Sequence, residues 1–382
     1  MALKIIHIFN HDKFVDQYIA NIKPGNFENT FIFLKNENTY SASSQIVKHV
    51  VPYSKDYYEI IEECVLYDII ILYDLDKEKI NIVNRLQYNN ATIIWVFYGA
   101  DLYSLPELKE RLFSDETVNL LDLNIARNIS YYFKRIIRPI YQYFKGNKSS
   151  IVARRQAIAK IDFFALYGRE EYDYLNNKLK NKLPQFIEYL VAATFTSIPY
   201  TTEKSDSILV GNSASPYNNH IDIIKKLEKL NYTGRVTIPF NYGSNKKYIE
   251  KFRDEIKKYK VSICMLDNFV ALDEYISLIQ QHSAAVFYSY RQMAMGNIFI
   301  ALCSGVKVYL SKQNPSLSWF ERVGFKIFNV ETDLETDVLT SNLKLSKESM
   351  VLNRKVYYQV VKDINSGFLT KLAEIGKTKR SA

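Results

Sequence analysis

Short runs of apolar, β-branched and aromatic residues recur along this chain with helical stretches between them. That rhythm restricts the fold more than any other feature. Residues 4–9, 30–34, 69–73 and 92–97 are strand length and apolar at nearly every position, while 57–66 and 79–87 between them carry helical spacing. A strand apolar on both faces has to be covered on both, and alternating helices do that by packing on a parallel, doubly wound sheet. After a polar break at 201–207 the rhythm resumes, with strands at 207–210, 234–239, 261–266, 284–288 and 307–310 and helices at 220–230, 246–259, 273–282 and 297–303. The expected fold is α/β: two Rossmann-like domains facing a cleft, divided near residue 200. The first is 1–200, the second 201–345, and 346–382 is a helical tail polar enough to lie on the surface.

With 382 residues there is length for two such cores. A hydrophobic fraction of 47%, including 30 Tyr and 22 Phe, excludes a disordered chain. No apolar run approaches the roughly 18 residues of a membrane span. The apolar start at 1–9 is broken at once by His11, Asp12 and Lys13, so it reads as a first strand and not a signal peptide. Cys64, Cys264 and Cys303 are odd in number and far apart, which fits a reducing cytoplasm and encodes neither a disulfide framework nor a zinc site.

Three segments could carry chemistry. In 207–213 a buried strand runs into Gly211, Asn212 and Ser213, followed by Asn218, His220 and a helix. That order suits phosphate, because glycine lets backbone approach and a helix start offers amides; it equally suits a plain turn with Asn218 as cap. The run 289–297 brings Arg291 and Gln292 to a helix opening at Gly296 and Asn297, again suited to a diphosphate. No dinucleotide or ATP glycine signature occurs in the chain. Finally, Asp101 follows a strand end and Gly99, placed to take a proton from an acceptor hydroxyl or merely to cap the next turn. Asp74 and Asp76 form an Asp-x-Asp pair, but between a strand and a helix capping explains them better than metal binding. His7, inside the first strand, reads first as a core residue, whereas His11 and Asp12 reach the strand end.

The net charge of +9 is local. Nine basic residues and no acidic one lie between Leu123 and Ile161, and the other 41 basic residues balance the 41 acidic. From Ile129 to Phe144 apolar residues step at helical intervals, which predicts an amphipathic helix near 126–146 with Arg127, Lys134, Arg135, Arg138 and Lys145 on its polar face. Pro139 should kink it. The face suits an anionic membrane surface as well as plain solvent. Nucleic acid is not expected, since the remaining chain is neutral and no such motif appears.

Residues 99–103 (Gly-Ala-Asp-Leu-Tyr), 208–213 with Asn218 and His220, and Arg291-Gln292 with Gly296 together resemble the TDP-N-acetylfucosamine:lipid II N-acetylfucosaminyltransferase family, which helps assemble the enterobacterial common antigen. Collinear echoes are His7 with Asp12, Pro239 with Tyr242 and Asn245, Asp273 with Tyr275, and Asn314-Pro315. Asn219 stands where the resemblance implies an acidic residue and Asn241 where it implies glycine. The resemblance implies a GT-B glycosyltransferase of family 56 type, needing no metal or other cofactor. It implies a nucleotide-sugar donor (a TDP- or UDP-linked deoxyamino sugar) held by Gly211, Asn212, Ser213, Asn218, His220, Pro239, Tyr242, Arg291, Gln292, Gly296 and Asn297. It implies a lipid-linked, undecaprenyl-diphosphate saccharide as acceptor, with His7, His11, Asp12 and Tyr103 on the acceptor side and Asp101 as base. Such an enzyme would build bacterial surface polysaccharide, peripheral on the inner face of the cell membrane. The alternative is a non-catalytic α/β protein that tethers a partner to the membrane through a degenerate nucleotide site.

Overall fold

A computed structural model describes residues 2–10, 15–35, 46–86, 90–103, 105–109, 112–123, 150–190, 203–243 and 245–381. They fall into two compact units. The first comprises the described residues up to 107, 150–190 and those from 361 onward; the second comprises 108–123 and those from 203 to 360.

Seven parallel strands form the sheet of the first unit: β1 (Leu3–Phe9), β2 (Phe27–Leu34), β3 (Val47–Val50), β4 (Ile69–Tyr73), β5 (Thr92–Val96), β6 (Phe163–Leu166) and β7 (Gln185–Glu188). Their order is β3-β2-β1-β4-β5-β6-β7. β4 and β5 are buried at every position, which is why alternation is missing from their sequences. The chain lays down β1 to β3 in one direction, then returns to add β4 on the other side of β1. Strand order therefore reverses between β1 and β4.

Six parallel strands repeat the plan in the second unit: β8 (Ser205–Val210), β9 (Arg235–Pro239), β10 (Ile263–Leu266), β11 (His282–Phe287), β12 (Lys307–Leu310) and β13 (Phe328–Asn329), in the order β10-β9-β8-β11-β12-β13. Here the reversal lies between β8 and β11. In open sheets of this kind ligands bind beyond the carboxyl ends of the strands at the reversal. Each unit has its own core: Ile5, Ile69, Ile71 and Ile94 in the first, Ile208, Val210, Ile238 and Val286 in the second.

Two expectations about organisation change. The division near residue 200 is not a single cut, because 108–123 pack with the second sheet and Leu121 enters its core. Nor is the tail a surface appendage. It is one helix, Lys347–Ser381, whose Phe368, Leu372 and Ile375 complete the core of the first unit. Its apolar positions are spaced widely among polar ones, so its composition conceals that face.

Candidate functional site

At the reversal of the second sheet β8 runs out through Val210 into Gly211, whose amide donates to the Val286 carbonyl of β11 at 2.9 Å. Gly211 has φ +71°, and a β-carbon there would stand 2.4 Å from Nε2 of His220. Only glycine fits. His220 is fully buried at the start of the helix His220–Lys229, with Nδ1 hydrogen-bonded to the Tyr248 hydroxyl at 2.7 Å. Burial keeps the imidazole neutral by pulling its pKa down to about 3. Its Nε2 is buried without a hydrogen-bond partner and faces the Gly211 turn. The Asn218 amide closes the loop by donating to the Ser213 carbonyl at 2.9 Å. Asn212 donates to the hydroxyl of Tyr242 at 2.9 Å, while its own Oδ1 is buried without a partner. Pro239 is the last residue of β9, from which the chain leads to Tyr242, a residue 56% exposed.

Two helices begin here, His220–Lys229 and Met295–Cys303. Their N-cap residues, Asn219 (φ +48°) and Ala294 (φ +61°), are left-handed and make no side-chain cap bond. Ser54, Asp76, Ser114, Asn245 and Asn314 each give a side-chain oxygen to a first-turn amide of their helices. The two helix starts at the reversal lack that partner, as do those of Arg169–Lys178, Leu272–Gln281 and Asp333–Leu339; what sets the two apart is their place at the reversal. Their amides and dipoles are suited to an anion.

Arg291 lies in the loop between β11 and the second of these helices. Its guanidinium sits over the Tyr217 ring, 4.8 Å from the centroid, and Tyr217 stacks on Phe113 with centroids 4.9 Å apart and planes 9° from parallel. Such stacking fixes the direction of a side chain that is otherwise floppy. The Arg291 carbonyl accepts from the Ser289 hydroxyl at 3.0 Å, and Asn314 donates to that hydroxyl at 3.2 Å. The Gln292 carbonyl accepts from Arg291 at 3.2 Å. Asn297 donates to the Tyr275 hydroxyl at 3.2 Å, and Gly296, in the first helical turn, has open space where a side chain would stand.

The residues that periodicity does not reveal are those holding this loop cluster from the side. Asn219, wholly buried, accepts from the Ser114 amide at 3.0 Å and donates to the Tyr288 carbonyl at 3.0 Å and the Leu112 carbonyl at 3.4 Å. An amide can do both; a carboxylate cannot donate. That accounts for an asparagine in place of the acidic residue.

The reversal of the first sheet gathers charge. Lys79, wholly buried, donates to Asp74 at 2.6 Å and Asp76 at 3.1 Å, and Asn10 donates to Asp76. Asp76 also caps the helix Lys77–Arg85 through the Lys79 amide at 2.9 Å. The Asp-x-Asp pair thus already holds a cation, an ammonium supplied by the chain. Among the described residues no group of three or more His, Cys, Asp or Glu could hold a metal ion.

Asp101 lies in the short helix Ala100–Tyr103, with its carboxyl turned inward. Oδ2 accepts from the Trp95 indole at 2.8 Å, Oδ1 is buried without a partner, and burial pushes the pKa up to about 7. Arg154 donates to the Asp101 carbonyl. His7 and Tyr103 are also inside. His7 is buried in mid-strand between Asn29 (2.9 Å) and Tyr73 (3.1 Å), its pKa pulled down to about 4 by burial. Tyr103 donates to the buried Glu171 at 2.8 Å. Neither is brought to the strand ends, because β1 is buried on both faces and Tyr103 packs under its loop. His11, Asp12, Arg127, Lys134, Arg135, Arg138 and Lys145, with the expected helix near 126–146, lie outside the described residues.

Residues 149–359 match the family model described as 4-alpha-L-fucosyltransferase glycosyl transferase group 56. Among solved structures, the chain is similar to Anabaena HepE in complex with UDP and glucose, with a TM-score of 0.65 at 12% identity over 97% of this chain and 100% of that one. It is likewise similar to the lipopolysaccharide outer core galactosyltransferase WaaB (TM-score 0.58, 13% identity, 97% and 100%). A third likeness is to AviGT4, a glycosyltransferase involved in avilamycin A biosynthesis (TM-score 0.56, 9%, 98% and 98%). The two parallel sheets are those of the GT-B fold, and the match over more than half its length places the chain in glycosyltransferase group 56 as an enzyme that transfers sugar from a nucleotide donor.

Proposed function

We propose that this glycosyltransferase moves a deoxyamino sugar from a TDP- or UDP-linked donor to an undecaprenyl-diphosphate-linked saccharide, in the synthesis of a bacterial surface polysaccharide. The observation that carries the donor assignment is the pair of helix starts without capping side chains at the β8–β11 reversal, together with the inward-facing Nε2 of His220 and Oδ1 of Asn212. The donor diphosphate is bound there by the amides of both helices and by Arg291, which stabilise the charge that develops as the sugar–phosphate bond breaks. Gly211 lets the phosphate approach the backbone. Gly296 and Asn297 begin the second anion-binding turn. Tyr242 and Pro239 line the way in.

Asp101 belongs to the acceptor side. In a direct displacement it is the general base for the acceptor hydroxyl; in a retaining reaction it orients the acceptor. Its inward carboxyl, held by Trp95, supports a positioning role through the turn at 99–103 more than direct contact with the acceptor. The basic face at Arg127, Lys134, Arg135, Arg138 and Lys145 supports a peripheral position on an anionic membrane, where the lipid-linked acceptor resides. Among the described residues no helix is long and apolar enough to cross a membrane.

The test is a thermal-shift panel with TDP, UDP, GDP, CMP and NAD. A ligand at a hundredfold excess over its dissociation constant stabilises the folded state by about 2.7 kcal/mol, which raises the melting point by a few degrees. A rise with TDP or UDP alone is the expected result. A rise with none of the five is what a tethering protein with a degenerate site would give, and defeats the donor assignment.

A further inference from the structure

Where the helices Ser150–Ile158 and Arg169–Lys178 end, the first unit encloses a cavity of about 580 Å³, well within the range of small-molecule sites. None of the residues assigned to donor or acceptor lines it. The lining divides by chemistry. Leu105, Ile158, Leu179 and Leu183 make an apolar floor. Lys178, Lys180, Lys182 and Arg155 stand around it, with Glu107 as the single carboxylate, paired to Arg155. Among the described residues no carboxylate lies within ion-pair distance of Lys178, Lys180 or Lys182. The loop carrying two of these lysines is held in place: Lys180 and Asn181 are both left-handed (φ +57° and +58°), the Asn181 amide donates to the Asn176 carbonyl at 2.8 Å, and the Leu183 amide donates to the Asn176 side chain at 3.1 Å. Two consecutive left-handed residues without glycine carry a conformational cost that simple solvated loops avoid.

We propose that this cavity takes the head group and first chain segments of an anionic phospholipid. A free anion would use the lysines and leave the leucines idle. An apolar ligand would use the floor and leave Lys180 and Lys182 unanswered, Lys178 meeting only the face of the Tyr174 ring at 5.7 Å. A phosphate ester on an alkyl chain uses both. The helix that lines the cavity continues, in sequence, the acid-free basic run that begins after Leu123. The proposal rests on the membrane-surface reading above but on different residues from Arg127 to Lys145.

The full chain is co-sedimented with phosphatidylglycerol vesicles and with phosphatidylcholine vesicles. The first should bind and the second should not. Reversing charge with Lys178→Glu, Lys180→Glu and Lys182→Glu should weaken partition by about tenfold or more. Ala159→Trp, at an exposed lining position, fills the cavity without changing charge and should weaken it roughly threefold. Melting curves with and without TDP and UDP are run on every variant. Loss of vesicle binding with an unchanged nucleotide response separates this site from the donor assignment. Wild-type partition in the Ala159→Trp variant overturns the proposal, since charge alone would then suffice. So do equal binding to both vesicle types and complete competition by glycerol phosphate, which lacks a chain.

Discussion

With one carboxyl oxygen held by the Trp95 indole and the other enclosed, Asp101 is pushed by burial up to about 7, and the nearby Asp74 carboxylate pushes it the same way. Unfolded, the group titrates near the ordinary 3.8. Between those values the folded chain keeps a proton that the unfolded chain has released, so this residue lowers stability as pH rises through that window. Asp101→Asn removes the dependence: its melting point should gain on wild type by a few degrees between pH 5 and pH 8, measured by calorimetry. Turnover in the same variant decides its chemistry, because full activity in a folded Asp101→Asn enzyme eliminates a general base at this position. Local geometry was legible in the sequence at the Gly211 turn, which admits no side chain, and at the Asp76 cap. It was not legible at His7 or Tyr103, whose side chains are set by neighbours dozens of residues away, Asn29 and Tyr73 for one and Glu171 for the other.

Among elements, the central strands announce themselves because burial on both faces leaves an unbroken apolar run. The strands that composition misses are mostly edges: β3 and β7 present exposed or half-exposed positions, and β13 is two residues long. The basic run divides in the same way. Its described end is consumed by structure, since Arg154 supports the Asp101 loop, Arg155 pairs with Glu107, and Lys160 donates to the carbonyls of Val83, Asn84 and Leu86 at the end of the helix Lys77–Arg85. The segment 112–123 is an element that sequence rhythm assigns to the wrong side of the chain. It is fastened to the second unit by Ser114 on Asn219 and Asp222, by Glu116 on Lys225, and by Asp122 on Lys247 and Lys251. Asn219→Asp keeps the size and loses the donor, setting a carboxylate against two carbonyls. Urea unfolding should show a loss of about 2–3 kcal/mol, even though an acidic residue is what the family resemblance implies there.

At the scale of the molecule, the doubled α/β plan follows from the sequence, whereas the assignment of segments to units does not. Periodicity reports what a segment buries, not where the partner lies. A fragment comprising residues 1–200 should therefore fail to form a native first unit. It lacks Phe368, Leu372 and Ile375, and it exposes Leu121, which belongs to the other core. Near-ultraviolet circular dichroism should show the fragment without fixed aromatic packing, and adding 347–382 as a separate peptide should restore part of the signal. A fragment 1–200 with sharp, cooperative melting would contradict the contact pattern.

The return of the last helix to the first core also sets an order of events at the ribosome. Domains usually complete in the order they are translated. Here strands β1 to β7 wait for residues made after 360, and the second unit, whose final residue is 360, has its full complement while the first is still short of Phe368, Leu372 and Ile375. A nascent chain that has just brought residue 360 out of the ribosome would carry the complete second unit and a first unit still short of those three side chains. A stop codon just after residue 360 would then cost the first sheet, whose strands begin at residue 3, three of its core side chains.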